Sequence, residues 1–180
     1  MAKKSNTKST GNTSVMENSA FHKFFLDSLK DLYWAENNLL KALVKMKKAA
    51  TSKQLAAAFD KHHGETQIHI DRLKQVFENL GKKAMSKKCD AMAGIIEEGK
   101  SVIEDTEADS MTRDAALILA AQKAEHYEIA SYGTLRVFAK HMGHTKVQEL
   151  LTQTLEEEKV CDVALTELAE SFINEEAAEE

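Results

Sequence analysis

Four long stretches of this sequence carry apolar residues at the spacing of an amphipathic helix, and each apolar stripe contains acidic side chains near its middle. In residues 121–138, Glu128 falls on the same narrow face as Ala124 and Tyr132, and Glu125 lies at the edge of that face. A carboxylate on a face that packs into a core is costly unless something neutralises its charge. The recurrence of this feature therefore constrains both the fold and the function.

The apolar spacing predicts four long helices and one shorter helix. The chain contains no proline, so nothing in its composition interrupts long helices. T-x-x-Q patterns at Thr51 and Thr145 predict two helix starts, and Gly81 and Gly143 predict two helix ends. The predicted helices cover about 19–49, 51–80, 89–104, 111–142 and 145–173.

The connections between these helices indicate how they are arranged. Residues 50–52 and 143–144 are short connections, which favour two antiparallel helical hairpins. The remaining connection is long and carries the shorter helix. We therefore predict an all-α, ferritin-like four-helix bundle of two antiparallel hairpins with an extra short helix in the long crossover.

The two ends of the chain differ in composition from the bundle, which we predict over 19–173. Residues 1–18 are rich in Lys, Ser, Thr and Asn and predict a disordered polar tail, and residues 174–180 predict a frayed acidic tail. No stretch approaches the roughly 18–20 apolar residues of a membrane span, and no signal-peptide core is present near the N-terminus. A net charge of -5 argues against nucleic-acid binding by the bundle. Cys89 and Cys161 form no C-x-x-C pair, which favours reduced thiols and a cytoplasmic location.

The inward acids predict a dinuclear metal site at one level of the bundle. Ferritin-like metal sites take a Glu from each of two helices and a Glu with a nearby His from each of the other two. Mid-helix positions of hairpins of equal length come to the same height. The candidate ligands are Glu36, Glu65, His69, Glu125, Glu128 and Glu158, with His62 and Asp162 as a second tier. The usual E-x-x-H spacing is absent, because positions 68 and 161 hold Ile68 and Cys161.

Each of these residues also has an explanation that needs no metal. An inward acid can pair with a basic side chain, and a buried histidine can be a hydrogen-bonded core residue. Cys161 is then core filling, and the aromatic residues near the acids are packing residues rather than redox groups. The bases available to the acids are Lys45, Lys123, Arg136 and Lys159. The aromatic residues are Tyr33, Trp34 and Tyr127.

Four segments together resemble the YciF/YciE-like family of ferritin-like bacterial proteins. These segments are 26–36, 88–98, 123–135 and 154–159. The resemblance implies a helical bundle of the ferritin superfamily, a homodimer, a dinuclear metal centre and a link to bacterial stress responses. The family pattern H-L-E-E-T-x-G-H reads His62-His-Gly-Glu-Thr-Gln-Ile-His69 here, so Gly64 replaces an acid and the ligands of the second helix depart from the family pattern.

Three functions follow from this sequence as hypotheses. The first is a protein that binds two iron ions, or manganese, through the six candidate ligands and activates dioxygen or peroxide at the pair. The second is an iron-binding or storage protein without turnover. The third is a metal-free stress or scaffold protein whose inner acids pair with bases.

Overall fold

The computed structural model describes residues 19–180, which form helices and connecting segments and contain no strand. The predicted tail of residues 1–18 lies outside the described residues. The helices are α1 (Ala20–Ala49), α2 (Lys53–Asn79), α3 (Asp90–Asp105), α4 (Met111–His141), α5 (Thr145–Leu168) and α6 (Asn174–Glu179), with a π-helical turn at Ala169–Ile173 between α5 and α6. The predicted all-α fold is confirmed. None of the helices within these residues combines the length and the apolar character needed to cross a membrane.

The four long helices pack around two separate apolar cores. Helix α1 packs on α2 and α4 packs on α5, while contacts between α2 and α5 and between α1 and α4 close the bundle. The short helix α3 lies against α1 and α4. One core joins Leu43 of α1 to Phe59 of α2, Leu117 of α4 and Leu165 of α5. Each long helix thus contributes one half of its length to this core.

The second core contains the other halves of the same helices. It joins Phe25 and Leu29 of α1 to Phe77 of α2, Tyr132 of α4 and Leu151 of α5. The C-terminal half of α1 therefore meets the N-terminal halves of α2 and α4, so both of these helices run antiparallel to α1. Between the two cores lies a layer of buried polar side chains, and this layer is where the inward acids are found.

The helix starts differ from those predicted by the T-x-x-Q patterns. The N-cap of α2 is Ser52, whose hydroxyl oxygen accepts a hydrogen bond from the backbone N–H of Leu55 at 3.1 Å. The Thr51 hydroxyl instead donates to the carbonyl oxygen of Ser110 at 2.9 Å. Helix α5 begins at Thr145 itself, so this residue is not its cap. The predicted helix ends at Gly81 and Gly143 do adopt left-handed backbone conformations, with φ of 65° and 75°.

The acidic C-terminal segment also differs from the predicted frayed end. Residues Asn174–Glu179 form α6, and the Glu180 side chain contacts the start of α4. Its two carboxylate oxygens accept hydrogen bonds from the backbone N–H groups of Met111 at 2.6 Å and Thr112 at 2.9 Å. The first N–H groups of a helix have no partner within the helix and carry partial positive charge, so they bind a carboxylate well.

Asp114 provides a test of how the two hairpins are joined. Its side chain is fully buried, and its two oxygens accept hydrogen bonds from the backbone N–H groups of Thr51 and Ser52, both at 2.7 Å. We expect Asp114→Ala to lower the free energy of unfolding by about 2–4 kcal/mol, because two N–H groups lose their partners. Urea denaturation measures this, and Asp71→Ala on exposed α2 surface is the control, with an expected change within about 0.5 kcal/mol. Equal changes in the two variants would contradict the prediction.

Candidate metal centre

Buried glutamate and histidine side chains from all four long helices meet in the polar layer between the two cores. Glu36 of α1, Glu128 of α4 and Glu158 of α5 have no exposed surface. His62 and His69 of α2 are 3% and 1% exposed. Glu125 of α4 is also buried. Acidic groups are seldom buried this completely unless something binds them.

These side chains form two adjoining groups of ligand atoms. The first group consists of His62, Glu125, Glu128 and Glu158, and the second consists of Glu36, His69 and Glu158. Within each group the ligand atoms lie within 4.8 Å of one another. Glu158 belongs to both groups and therefore links them.

The hydrogen bonds of His69 leave one ring nitrogen facing the site. Its Nε2 lies 2.9 Å from Glu157 Oε2, and Arg72 donates to the same carboxylate oxygen at 2.7 Å. Its Nδ1 lies 2.9 Å from Glu158 Oε1 and 3.8 Å from Glu36 Oε1. A ring that donates Nε2–H to Glu157 presents the lone pair of Nδ1 to the site, which is the usual arrangement of a metal-binding histidine.

His62 occupies the corresponding place in the first group. Its Nε2 lies 3.1 Å from Glu125 Oε1, and its Nδ1 lies 3.9 Å from Glu65 Oε2. The centres of the His62 and His69 rings are 6.5 Å apart. The two histidines are thus placed to bind separate ions, with one ion in each group.

Many polar atoms in this layer are buried without a hydrogen bond. They include both oxygens of Glu128, both oxygens of Glu158, Nδ1 of His69 and both ring nitrogens of His62. The short distances from His69 to Glu158 and from His62 to Glu125 therefore lack the angles of hydrogen bonds. Oxygen and nitrogen atoms that converge in this way are the donor set of an intermediate cation such as iron or manganese, so the residues present fit a metal pair.

The surroundings of the carboxylates favour protons when no metal is bound. Burial, together with the nearby Glu158 carboxylate, raises the pKa of Glu36 to about 8. Burial raises the pKa of Glu128 well above its usual value, and the carboxylates of Glu36 and Glu158 raise it further. Burial also raises the pKa of Glu125. A cation that binds here takes the place of these protons.

Neighbouring carboxylates raise the pKa values of the two histidines. Burial lowers the pKa of His62, but the Glu125 carboxylate outweighs this effect and the pKa is well above its usual value. Burial likewise opposes charging of His69, and the Glu158 carboxylate raises its pKa overall. Without a metal, protons on the histidines and carboxylates offset the negative charge of the site.

Two of the predicted ligands lie outside both groups. The side chain of Glu65 is 28% exposed and pairs with Lys61 at 2.9 Å, and the nearby His62 ring and Lys61 ammonium lower its pKa to about 2. Asp162 is 20% exposed, and its Oδ1 accepts a hydrogen bond from Gln122 at 3.1 Å. Between His62 and His69, the helical repeat brings the inner face of α2 to a point between positions 65 and 66. The structure buries Thr66 rather than Glu65.

Two residues of the site were not among the predicted ligands. Cys161 forms a further group with His62 and Glu125, and burial raises the pKa of its thiol to about 11. Tyr132 is fully buried and donates a hydrogen bond to Glu36. The sequence could have indicated both residues, because residues three or four apart share one face of a helix. Cys161 lies three residues after Glu158, and Tyr132 lies four residues after Glu128.

Two of the bases that could have neutralised the inner acids pair with exposed acids instead. Lys123 pairs with Glu98, and Lys159 pairs with Glu156 at 2.8 Å. The basic side chains beside the inner acids are those of His62, 3.1 Å from Glu125, and His69, 2.9 Å from Glu158. This arrangement disfavours the scaffold hypothesis in the form that pairs the inner acids with lysines.

Comparison with known proteins identifies the family. Residues 20–178 match the family described as "Domain of unknown function (DUF892)". The chain belongs to the DUF892 family. Protein YciF of Escherichia coli (strain K12) is 50% identical to this DUF892 chain over 156 residues, which cover 85% of the chain and 92% of YciF. The resemblance to the YciF-like family is thus confirmed.

Solved structures of related proteins share this DUF892 fold. The crystal structure of the E. coli stress protein YciF matches with a TM-score of 0.82 at 47% identity, over 87% of this chain and 98% of YciF. YcfI from Rhodopseudomonas palustris matches with a TM-score of 0.80 at 38% identity, over 82% of this chain and 94% of YcfI. A Xanthomonas campestris protein matches with a TM-score of 0.67 at 19% identity, over 85% of this chain and 93% of that protein, which shows likeness of fold alone.

Proposed function

We propose that this protein is a ferritin-like protein that binds two iron ions, or two manganese ions, and uses them in redox chemistry with peroxide or dioxygen. The observation that carries the proposal is the Glu158 carboxylate, which is fully buried, makes no hydrogen bond and belongs to both groups of ligand atoms. The helix directions support the ferritin-like layout. Helices α2 and α4 both run antiparallel to α1, as a long crossover between two hairpins requires.

In this proposal the chain's own residues divide into ligands and groups that hold the ligands. His62, Glu125 and Glu128 would hold one ion, Glu36 and His69 would hold the other, and Glu158 would contribute to both. Glu157 and Arg72 hold the His69 ring with Nδ1 inward. Tyr132 orients the Glu36 carboxylate through its hydrogen bond. When bound, a pair of iron ions supplies two electrons to peroxide or dioxygen, and the carboxylate ligands favour the trivalent state.

The cellular setting of this chemistry is part of the same proposal. YciF is named a stress protein, and protection against oxidative or osmotic stress suits a peroxide-consuming site. We propose a cytoplasmic homodimer, and the two buried free thiols, Cys89 and Cys161, support a reducing compartment. A structural role is the second candidate, since the related protein YcfI has been suggested to be a structural protein.

Anaerobic loading with ferrous iron followed by hydrogen peroxide tests the redox proposal. We expect about two iron ions per chain and about one peroxide consumed for each pair of ions oxidised, with iron uptake stopping at that ratio. Light scattering should give the mass of a small oligomer. Uptake of many ions per chain by a large shell would instead indicate storage. Failure to bind iron or manganese would favour the structural role.

A further inference from the structure

A cavity of about 330 Å³ opens between α1, α3 and α4 and reaches the candidate ligand Glu125. Its size lies at the lower end of the roughly 300–1,000 Å³ typical of small-molecule pockets. Most of its wall is apolar. The main apolar residues are Trp34, Leu39, Met46, Ile96, Ile103 and Ala121.

Small residues line the part of the cavity where α3 faces α4. Ala120, Ala121 and Ala124 lie along α4, and Gly99 faces them from α3. A Cβ atom placed on Gly99 would lie 3.9 Å from the Cβ atom of Ala120, an ordinary packing distance. Gly99 and Ala120 thus let α3 and α4 lie close together, and the lining of the cavity on α4 extends from Ala120 to Glu125.

The mouth of this cavity is positively charged. Lys41 and Lys45 line it from α1, are exposed, and form no ion pair with any of residues 19–180. Lys100 also lines the mouth, but its ammonium pairs with Glu97 at 2.5 Å. Lys41 and Lys45 lie five and nine residues beyond Glu36, or roughly 7.5 and 13.5 Å along the helix axis from the level of the metal centre.

We propose that this cavity binds a medium-chain fatty-acid anion, with its carboxylate at Lys41 and Lys45 and its hydrocarbon tail directed towards Glu125. The unpaired ammonium groups at the mouth attract a single anionic head group, and the apolar wall accepts an unbranched chain. A sugar or a nucleotide would leave its polar groups without partners in this cavity. The placing of the tail towards a metal centre rests on the proposed function, whereas the binding of the fatty acid does not.

Decanoate binding tests this proposal on both the metal-free and the metal-loaded protein. Trp34 is the chain's one tryptophan and lines the cavity, so its fluorescence reports directly on occupation. We expect saturable binding of about one decanoate per chain in both forms, confirmed by calorimetry. Decyltrimethylammonium, which has the same tail and the opposite charge, should bind at least about tenfold more weakly.

Charge-reversal variants locate the head group. Lys41→Glu with Lys45→Glu should weaken decanoate binding about tenfold or more, whereas Lys48→Glu should not change it. Lys48 is an exposed lysine of the same helix that does not line the cavity, so it is the matched control. Equal weakening in the two cases would overturn the proposal, as would absence of saturable binding. Binding to anionic phospholipid vesicles without binding of free decanoate would also overturn it.

The orientation of the tail has a separate readout. With manganese in the metal centre, the terminal methyl protons of decanoate should relax faster than the protons beside its carboxylate, because the methyl end lies nearer the paramagnetic ion. The reverse order would overturn the proposed orientation. A protein that binds decanoate but no metal would contradict the proposed function alone, and a protein that binds metal but no decanoate would contradict this inference alone.

Discussion

Glu158→Gln is expected to abolish binding of both metal ions, whereas Glu36→Gln should abolish binding of only one. Glu158 contributes to both groups of ligand atoms, and Glu36 contributes only to the group with His69. The amide keeps the size of the side chain but is a much weaker ligand than a carboxylate. Changes to residues around metal sites already cost about 10–100-fold in affinity, so losing a bridging ligand should leave roughly a tenth of the wild-type metal content or less.

Metal analysis after anaerobic loading and dialysis measures this difference. Glu156→Gln is the control, because Glu156 lies on the same helix, is exposed and pairs with Lys159. Its metal content should equal that of the wild type. If Glu158→Gln retained one ion per chain, the two groups would be independent sites and the bridging role of Glu158 would be wrong. If it retained both, the metal centre would lie elsewhere.

The metal-free protein is expected to lose stability as the pH rises from about 5 to about 8. The pKa of Glu36 is raised from 4.5 to about 8 in the folded protein, so its protonated form stabilises the fold below pH 4.5 and this contribution is lost as the pH approaches 8. The pKa values of Glu125 and Glu128 are also raised, as are those of His62 and His69. All five groups therefore act in the same direction over this window.

The expected loss of stability follows from the raised pKa of Glu36. This difference in pKa on its own corresponds to a few kcal/mol in the free energy of unfolding, at about 1.4 kcal/mol per pKa unit. For a chain of this length we expect the melting temperature of the metal-free protein to fall by about 5–15 °C between pH 5 and pH 8. Groups whose pKa is lowered, such as Glu65 with a pKa of about 2, change charge below this window.

Calorimetry on the metal-free and metal-loaded proteins checks this prediction. In the loaded protein the cations replace the protons, so the fall in melting temperature should disappear and the stabilisation by metal should grow with pH. Glu128→Gln should reduce the pH dependence of the metal-free protein, because it removes one of the buried acids. A metal-free melting temperature that did not change with pH would mean that the inner acids are already neutralised by bases.

The sequence was sufficient to predict the helices and the level of the site, because both depend on local periodicity. Apolar spacing defines a helix and its buried face, and the middle of that face is where Glu36, Glu128 and Glu158 lie. On α2, periodicity places His62, Thr66 and His69 at the centre of the inner face and Glu65 on its flank, and it cannot decide whether a flanking acid reaches the centre. Small rotations of α2 settle that question, and they depend on packing against the other helices.

The helix starts and the C-terminal segment could not be predicted for a different reason. The hydroxyl of Thr51 bonds to Ser110, which is 59 residues away, and the Glu180 carboxylate bonds to Met111, which is 69 residues away. Capping patterns consider only neighbours in sequence, so they cannot anticipate a competing partner from another part of the fold. The same limit applies to the cavity, whose wall combines residues of three different helices.

The division of the interior into two apolar cores bears on how the proposed metal centre would be filled and emptied. Each core joins all four long helices, so apolar contacts that involve no ligand stabilise the bundle on both sides of the polar layer. Small metal-dependent domains unfold when a chelator removes the ion. Here we expect an emptied centre to keep its shape and to accept new ions without refolding. A protein with this architecture can bind and release metal repeatedly as the supply of metal in the cell changes.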